Sequence, residues 1–333
     1  MGSVWKGAIK PGLRWIRDKA IGDDWRESIR PIAWWNSPIW IWETAAEDRR
    51  FYPLRQRPHS VSRLQHLISP NLSKPIFIFG SPRSGTTFLG ECLSVLPEVS
   101  YHFEPVLTKA AVRYIYEKQW STVKAKRFYH SVYGWLMRIH NDGDLCFCEK
   151  TPRNSFILPF LYEAFPDGRF IHIIRDGRDA SISLSQRPWY RNDMRGSGAK
   201  EPGGYPFGPK ARFWVEPERT AEFETTNDLH RCIWLWRRYL EATAQGSTHL
   251  PAQQYYELRY ENLVATPERE AQRLLDFLEV EVQTSRTTFV ETIQSQIRQD
   301  SVGNWKTILS APVLDQMYVE AGQWLNELGY TRA

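Results

Sequence analysis

The sequence predicts an α/β protein of three layers, a central, mostly parallel sheet flanked by helices. Two observations lead there. "KPIFIFG" (74–80) and "FIHII" (170–174) are short, continuous apolar runs of the kind that form strands buried on both faces. Each is followed by a polar, glycine-bearing turn and then by a stretch with helical periodicity, and such units in series build parallel sheets.

The first 70 residues stand apart as an arm. Trp5, Trp15, Trp25, Trp34, Trp35, Trp40 and Trp42 alternate there with Lys6, Lys10, Arg14, Arg17, Lys19, Arg26 and Arg30. Aromatic rings bury large areas, so packing on the main domain or on a second copy is expected. Trp beside basic residues also suits a membrane interface. The longest apolar stretch, "PIAWWNSPIWIW", is shorter than the ~20 residues a spanning helix needs and is broken by proline. No secretory leader pattern opens the chain, and "MGSVWK" has Lys6 where an acylation motif requires Ser or Thr, so a cytoplasmic protein is expected.

Residues 71–333 form the α/β domain. After the first strand, Phe88, Leu89, Cys92, Leu93 and Leu96 recur at helical spacing until Pro97. Residues 109–140 read as helical. The second unit places its helix start near Asp179. Residues 187–226 are rich in Gly and Pro and mix aromatic with charged residues, and an insertion this long is a lid, a binding loop or disordered. A helix over 227–245, a strand over "YYELRYENLV" (255–264) and a helix with Thr266 as cap and Pro267 at its first position complete the order.

Between the first strand and helix, Gly80 and Gly85 keep the spacing of a phosphate-binding loop and Thr87 keeps its hydroxyl, so the fold expected is P-loop-like. The lysine slot holds Thr86, and the cation sits inside the loop at Arg83. The second strand ends in Arg175, not in a metal-binding aspartate. Asp176 lies between arginines and pairs locally in this reading; a surface ion-pair cluster with Asp176 and Asp179 is the alternative role for Arg175 and Arg178. The loop is therefore built for an anion that needs no metal, whereas nucleotide phosphotransfer uses the lysine and Mg²⁺. The formal net charge of +5 suits an anionic ligand but is too small to argue for nucleic acid, and no nucleic-acid module stands out. Cys92, Cys146, Cys148 and Cys232 lack zinc-site spacing and read as buried thiols.

"GSPRSGTTFL" followed by "IIRDGRDASISL" resembles the two nucleotide signatures of sulfotransferases that use 3′-phosphoadenosine-5′-phosphosulfate (PAPS). "LRYENLVATPE" and "SVGNWKTIL" extend the resemblance over about residues 75–310. It implies that Arg83, Ser84, Gly85, Thr86 and Thr87 hold the 5′-phosphosulfate, and that Arg175 and Ser183 bind the 3′-phosphate. Tyr260 is then near the nucleotide, and Lys306 closes over it in a loop that departs from the Arg-Lys-Gly pattern of cytosolic members. Arg83 matches the tyrosylprotein-type enzymes, where many cytosolic members have lysine. Glu104 corresponds to the catalytic glutamate of tyrosylprotein and some carbohydrate sulfotransferases, with His102 as an alternative base. Lys150, in "CEKTPRN", is the second cation of the transfer; pairing with Glu149 is its alternative.

The expected activity is metal-free, in-line sulfuryl transfer to a hydroxyl or amine of a small-molecule, carbohydrate or peptide acceptor, releasing adenosine 3′,5′-bisphosphate. Trp189, Tyr190, Tyr205, Phe207, Phe213 and Trp214 would line the acceptor site. Arg187, Arg191, Arg195, Lys200, Lys210 and Arg212 would favour an acidic acceptor or simply keep a flexible loop soluble. A P-loop phosphotransferase and a catalytically silent binding module are the competing readings.

Overall fold

The structure, a computed structural model, describes residues 61–199, 201 and 205–332. The tryptophans of the arm and Lys200 lie outside the described residues. Helix α1 (Val61–Ile68) leads to β1 (Ile76–Phe79), the glycine loop and α2 (Thr86–Leu93). Strand β2 (Val99–Phe103) is followed by α3 (Val106–Tyr116), α4 (Thr122–His140) and β3 (Cys146–Lys150). A 3₁₀ turn (Pro152–Phe156) and α5 (Leu158–Ala164) lead to β4 (Arg169–Ile174) and α6 (Gly177–Ser185). After the insertion come α7 (Thr220–Thr225), α8 (Asp228–Ser247), β5 (Tyr255–Arg259), α9 (Tyr260–Ala265), α10 (Pro267–Phe277) and α11 (Gln283–Gln296). Helices α12 (Trp305–Ile308) and α13 (Ala311–Glu327) close the domain.

The five strands are ordered β2-β3-β1-β4-β5, and every neighbouring pair is parallel. The apolar alternation of β1 divides the interior into two cores. Phe77 and Phe79 face a cluster built with Val112, Tyr133, Leu161 and Trp234, whereas Ile76 and Ile78 face Leu89, Leu274 and Phe289. Both faces of the sheet are thus covered, as its apolar strands require. A fully buried side chain of this size contributes about 1.5–3 kcal/mol, and Phe77→Ala should cost about 3–5 kcal/mol with its cavity. A third cluster joins α6, α8, α12 and α13 through Ile174, Trp236, Trp305 and Met317.

Several boundaries differ from the sequence reading. Residues 109–140 form two helices, because Lys118 turns left-handed (φ 57°) and Ser121 caps α4 by accepting from the Lys124 N–H at 3.3 Å. The strand expected over 255–264 ends at Arg259, and Tyr260 begins α9. Thr266 does precede Pro267 at the start of α10, but its hydroxyl donates back to the Asn262 carbonyl at 3.1 Å and caps nothing. Helix α6 begins at Gly177, with Asp176 accepting from the Arg178 N–H.

The insertion is packed rather than loose where it is described. Tyr190, Tyr205 and Trp214 are buried, and Arg212 is buried with its Nη2 on the carbonyls of Trp189 and Pro206. Tyr190 and Trp214 therefore belong to the core and not to an open aromatic wall, whereas Tyr205 borders a cavity. Among the described residues, no helix is long and apolar enough to cross a membrane.

Candidate active site

Because all five strands are parallel, the loops that follow them converge on one edge of the sheet, where ligands bind in open α/β folds. At the end of β1 the chain needs glycine for stated reasons. A Cβ on Gly80 (φ 139°) would lie 2.3 Å from the Ile173 carbonyl oxygen, and one on Gly85 (φ 99°) would lie 2.7 Å from the Tyr260 ring. Arg83 between them is also left-handed, at φ 72°. Gly85 occupies the N-cap of α2 and offers no side chain, so the first N–H groups of that helix are left for an anion. Ser84 is fully buried and its Oγ has no partner. Thr86 is buried beside it and Thr87 half-buried.

The second signature reaches this loop directly. Arg83 Nε donates to Ser183 Oγ at 3.0 Å, and Arg175 Nη1 donates to the Arg83 carbonyl at 2.9 Å. Arg175 Nη2 donates to the Ser301 carbonyl at 2.5 Å, and its guanidinium lies 4.9 Å from the Tyr260 ring centre. The Tyr260 hydroxyl shares a 2.9 Å hydrogen bond with Ser301 Oγ. Arg175 Nε is buried without a partner. Burial, then the charges of Arg187 and Arg175, lower the Arg83 pKa. An anion here would relieve that repulsion.

On the other side of β1, Glu104 follows β2 at φ 40°, fixed by its N–H on the Lys150 carbonyl at 2.9 Å. Its two carboxylate oxygens meet Lys150 Nζ at 2.5 Å and Lys109 Nζ at 2.7 Å. Burial alone would raise the Glu104 carboxyl, but Lys109 and Lys150 outweigh it and hold it well below the usual carboxylate range. Lys150 is 1% exposed, with its Nζ 3.8 Å from the Phe103 ring centre. Burial lowers its pKa, and the contact with Glu104 opposes this.

Lys109 is a residue that sequence reasoning missed. It lies in the first turn of α3, which follows Glu104 after Pro105, so a basic residue at that spacing was the available signal. Lys109 Nζ is also 3.6 Å from Glu201 Oε2, and Arg153 pairs with Glu201 in turn. One turn along α3 from Lys109, Arg113 lines a cavity of about 230 Å³ with Tyr205, Lys210, Arg212 and Phe213.

Three alternatives resolve into structural roles. His102 is fully buried, stacked on Phe147, and shares a hydrogen bond with Ser100, whose hydroxyl donates to Asp142. Burial pushes its pKa down to about 3, against Asp142, so it is a neutral interior histidine and not a base facing the cleft. Glu149 accepts from Tyr133, Asn154 and Thr151. Arg178 pairs with Asp176 in a buried, not superficial, ion pair. Lys306 is exposed on α12, with its Nζ 5.7 Å from the Trp305 ring, and the structure brings it to none of the other predicted site residues.

A parallel sheet in this order, carrying a glycine-bounded anion loop after its central strand, defines a P-loop-like α/β protein. Residues 75–202 and 209–284, more than half of the chain, match the Sulfotransferase family, and the chain belongs to that family. It is 24% identical over 218 residues to protein-tyrosine sulfotransferase A of Caenorhabditis elegans, covering 62% of this chain and 50% of that protein. It is 26% identical over 254 residues to protein-tyrosine sulfotransferase 1 of Danio rerio, covering 70% of this chain and 62% of the relative. The matches thus span about half to two thirds of these relatives. The fold is also that of sulfotransferase STF9 from Mycobacterium avium, at a TM-score of 0.50, 13% identity and 98% coverage of both chains.

Proposed function

We propose that this protein transfers a sulfuryl group from PAPS to an acceptor hydroxyl or amine by in-line displacement without a metal. The observation that carries the reading is the 2.5 Å contact of Glu104 with Lys150, which sets a carboxylate and a buried ammonium on the same sheet edge as Arg83. The donor fits the residues present. The partnerless Ser84 Oγ and Arg175 Nε are two buried polar atoms that anionic oxygens would satisfy. Arg83, Ser84, Gly85, Thr86 and Thr87 would hold the 5′ end. Arg175 and Ser183 would hold the 3′-phosphate, with Tyr260 alongside.

PAPS supplies the sulfuryl group and leaves as adenosine 3′,5′-bisphosphate. The chain supplies the rest. Glu104 takes the acceptor proton at a carboxylate oxygen, Lys150 stabilises charge on the sulfuryl oxygens, and Arg83 neutralises the departing phosphate. Positive charge already positioned at Arg83, Lys150 and Lys109 serves where a phosphotransferase uses Mg²⁺.

The names of the relatives favour a tyrosine hydroxyl on a peptide or protein as acceptor. The cavity lined by Arg113, Lys210 and Arg212 supports an acceptor that is itself acidic. Residues 71–333 would form the catalytic unit, with the Trp-rich arm as a packing or docking element.

A thermal-shift series with adenosine 3′,5′-bisphosphate, ADP and ATP, each with and without Mg²⁺, tests the donor. A ligand at 100 times its Kd stabilises the native state by about 2.7 kcal/mol. The expected result is a metal-independent shift with the bisphosphate. A Mg²⁺-dependent shift with ATP alone would replace this reading with phosphotransfer.

A further inference from the structure

The segment after α11 meets the end of β4 and the start of α6, and its anchorage is specific. Asp179 in the first turn of α6 is 3% exposed, and its carboxylate accepts two backbone hydrogen bonds from that segment. The Gly303 N–H reaches one oxygen at 2.7 Å, and the Trp305 N–H reaches the other at 2.9 Å. Trp305 opens α12, so Asp179 satisfies a helix-start donor from a different element. Gly303 is left-handed at φ 80° with open space where a Cβ would stand, so its backbone conformation alone favours glycine.

A neighbouring side chain on α6 holds the same segment. The Arg178 guanidinium lies 3.6 Å from the Trp305 ring centre and is itself fixed by Asp176. At the segment's near end, the Ser301 carbonyl accepts from Arg175, and Ser301 Oγ meets Tyr260. The turn from Arg175 to Asp179 therefore ties the two together. Arg175 reaches both the first loop at Arg83 and the strap at Ser301, while Arg178 and Asp179 fix the strap 299–306 at Trp305 and Gly303.

We infer that Asp179 is a positioning residue that hangs the 299–306 strap over the 3′ end of the nucleotide, so that recognition of the 3′-phosphate depends on it. The inference rests on the donor reading above. Asp179 touches no nucleotide atom in this scheme; it acts through the backbone of Gly303 and Trp305. Its loss costs the strap's contribution, which is specific to the 3′-phosphate, and spares the glycine loop, which reads the 5′ end.

The test measures affinities for adenosine 3′,5′-bisphosphate and adenosine 5′-monophosphate by calorimetry, with amide hydrogen exchange at Gly303 and Trp305. Asp179→Asn should weaken the bisphosphate about 10- to 100-fold, the range for charge-assisted hydrogen bonds. It should leave the monophosphate nearly unchanged and speed exchange at both amides. Gly303→Ala, which disturbs the strap while leaving the Asp179 side chain in place, should reproduce the same selective loss. An equal loss for both nucleotides, or an undiminished preference for the bisphosphate in either variant, would overturn the inference. Failure of the unaltered protein to bind the bisphosphate would instead overturn the donor reading, and the role of Asp179 with it.

Discussion

Arg175 holds Arg83 by its backbone: the 2.9 Å hydrogen bond from Nη1 to the Arg83 carbonyl joins two loops that lie 92 residues apart in the chain. The same guanidinium grips Ser301 through Nη2. One side chain therefore braces the first loop and the C-terminal strap while its Nε stays free of partners.

Arg175→Lys should consequently weaken both ends of the nucleotide site. A lysine offers one point charge and cannot bridge two carbonyls in a fixed plane. Affinity for adenosine 3′,5′-bisphosphate should fall roughly 10-fold or more, and affinity for adenosine 5′-monophosphate should fall with it, because Arg83 loses its brace. Calorimetric titration with both nucleotides separates this pattern from the selective loss expected of Asp179→Asn. An unchanged monophosphate affinity would show that the brace is dispensable.

Glu104→Gln tests the base. General-base catalysis is worth about 10²–10⁴ in rate, so turnover with a tyrosine-containing acidic peptide should fall by that range. Nucleotide affinity should stay within about 2-fold, since Glu104 belongs to the acceptor side in this scheme. Turnover close to that of the unaltered enzyme would remove Glu104 from the mechanism.

The pH dependence of turnover follows from the two lysines on Glu104. A base must be deprotonated to act, and a carboxyl held well below its usual range stays deprotonated in mild acid. The acid limb of the rate profile should therefore lie below the ordinary glutamate value of about 4.3. Lys109→Ala removes one of the two opposing charges and should move that limb to higher pH. A rate profile extended down to the acid edge of folding for both proteins decides it, and an unmoved limb would show that Lys109 does not govern the base.

Acid stability should depend on Glu320. Its carboxylate meets Arg219, Arg237 and the His230 ring. Burial raises its pKa, but the hydrogen bonds from His230 and Arg219 and the charges of Arg237 and Arg219 prevail and bring it to about 2. A depressed folded-state pKa stabilises above the unfolded value, and that stability is lost as pH falls through the folded one. The clamp should hold above about pH 4.5 and fail progressively toward pH 2. Melting curves across that window should be flatter for Glu320→Gln than for the unaltered protein.

The glycine loop and both signatures were legible because their information is local. Gly80, Arg83 and Gly85 fix one turn, and Arg175 with Ser183 fixes one helix start. The Lys109–Glu201–Arg153 chain was not legible. Arg153 and Glu201 lie 48 residues apart in the sequence, and only the folded insertion brings them together. The aromatic residues of that insertion misled for the same reason. Tyr190 and Trp214 look like a binding wall in sequence, but the area they can bury draws them into the core. His102 and Glu104 sit two residues apart, yet His102 lies within β2 and turns into the interior, while Glu104 follows the strand and meets Lys109 and Lys150.

The hydrogen bonds from Gly303 and Trp305 to Asp179 cross 124 and 126 residues. A ribosome making this protein emits both signatures long before it emits the strap that completes their pocket. A chain that stops short of Gly303 carries both nucleotide signatures and lacks the backbone that Asp179 holds. On the donor reading, such a chain would lose its preference for a 3′-phosphate while keeping the loop that reads the 5′ end.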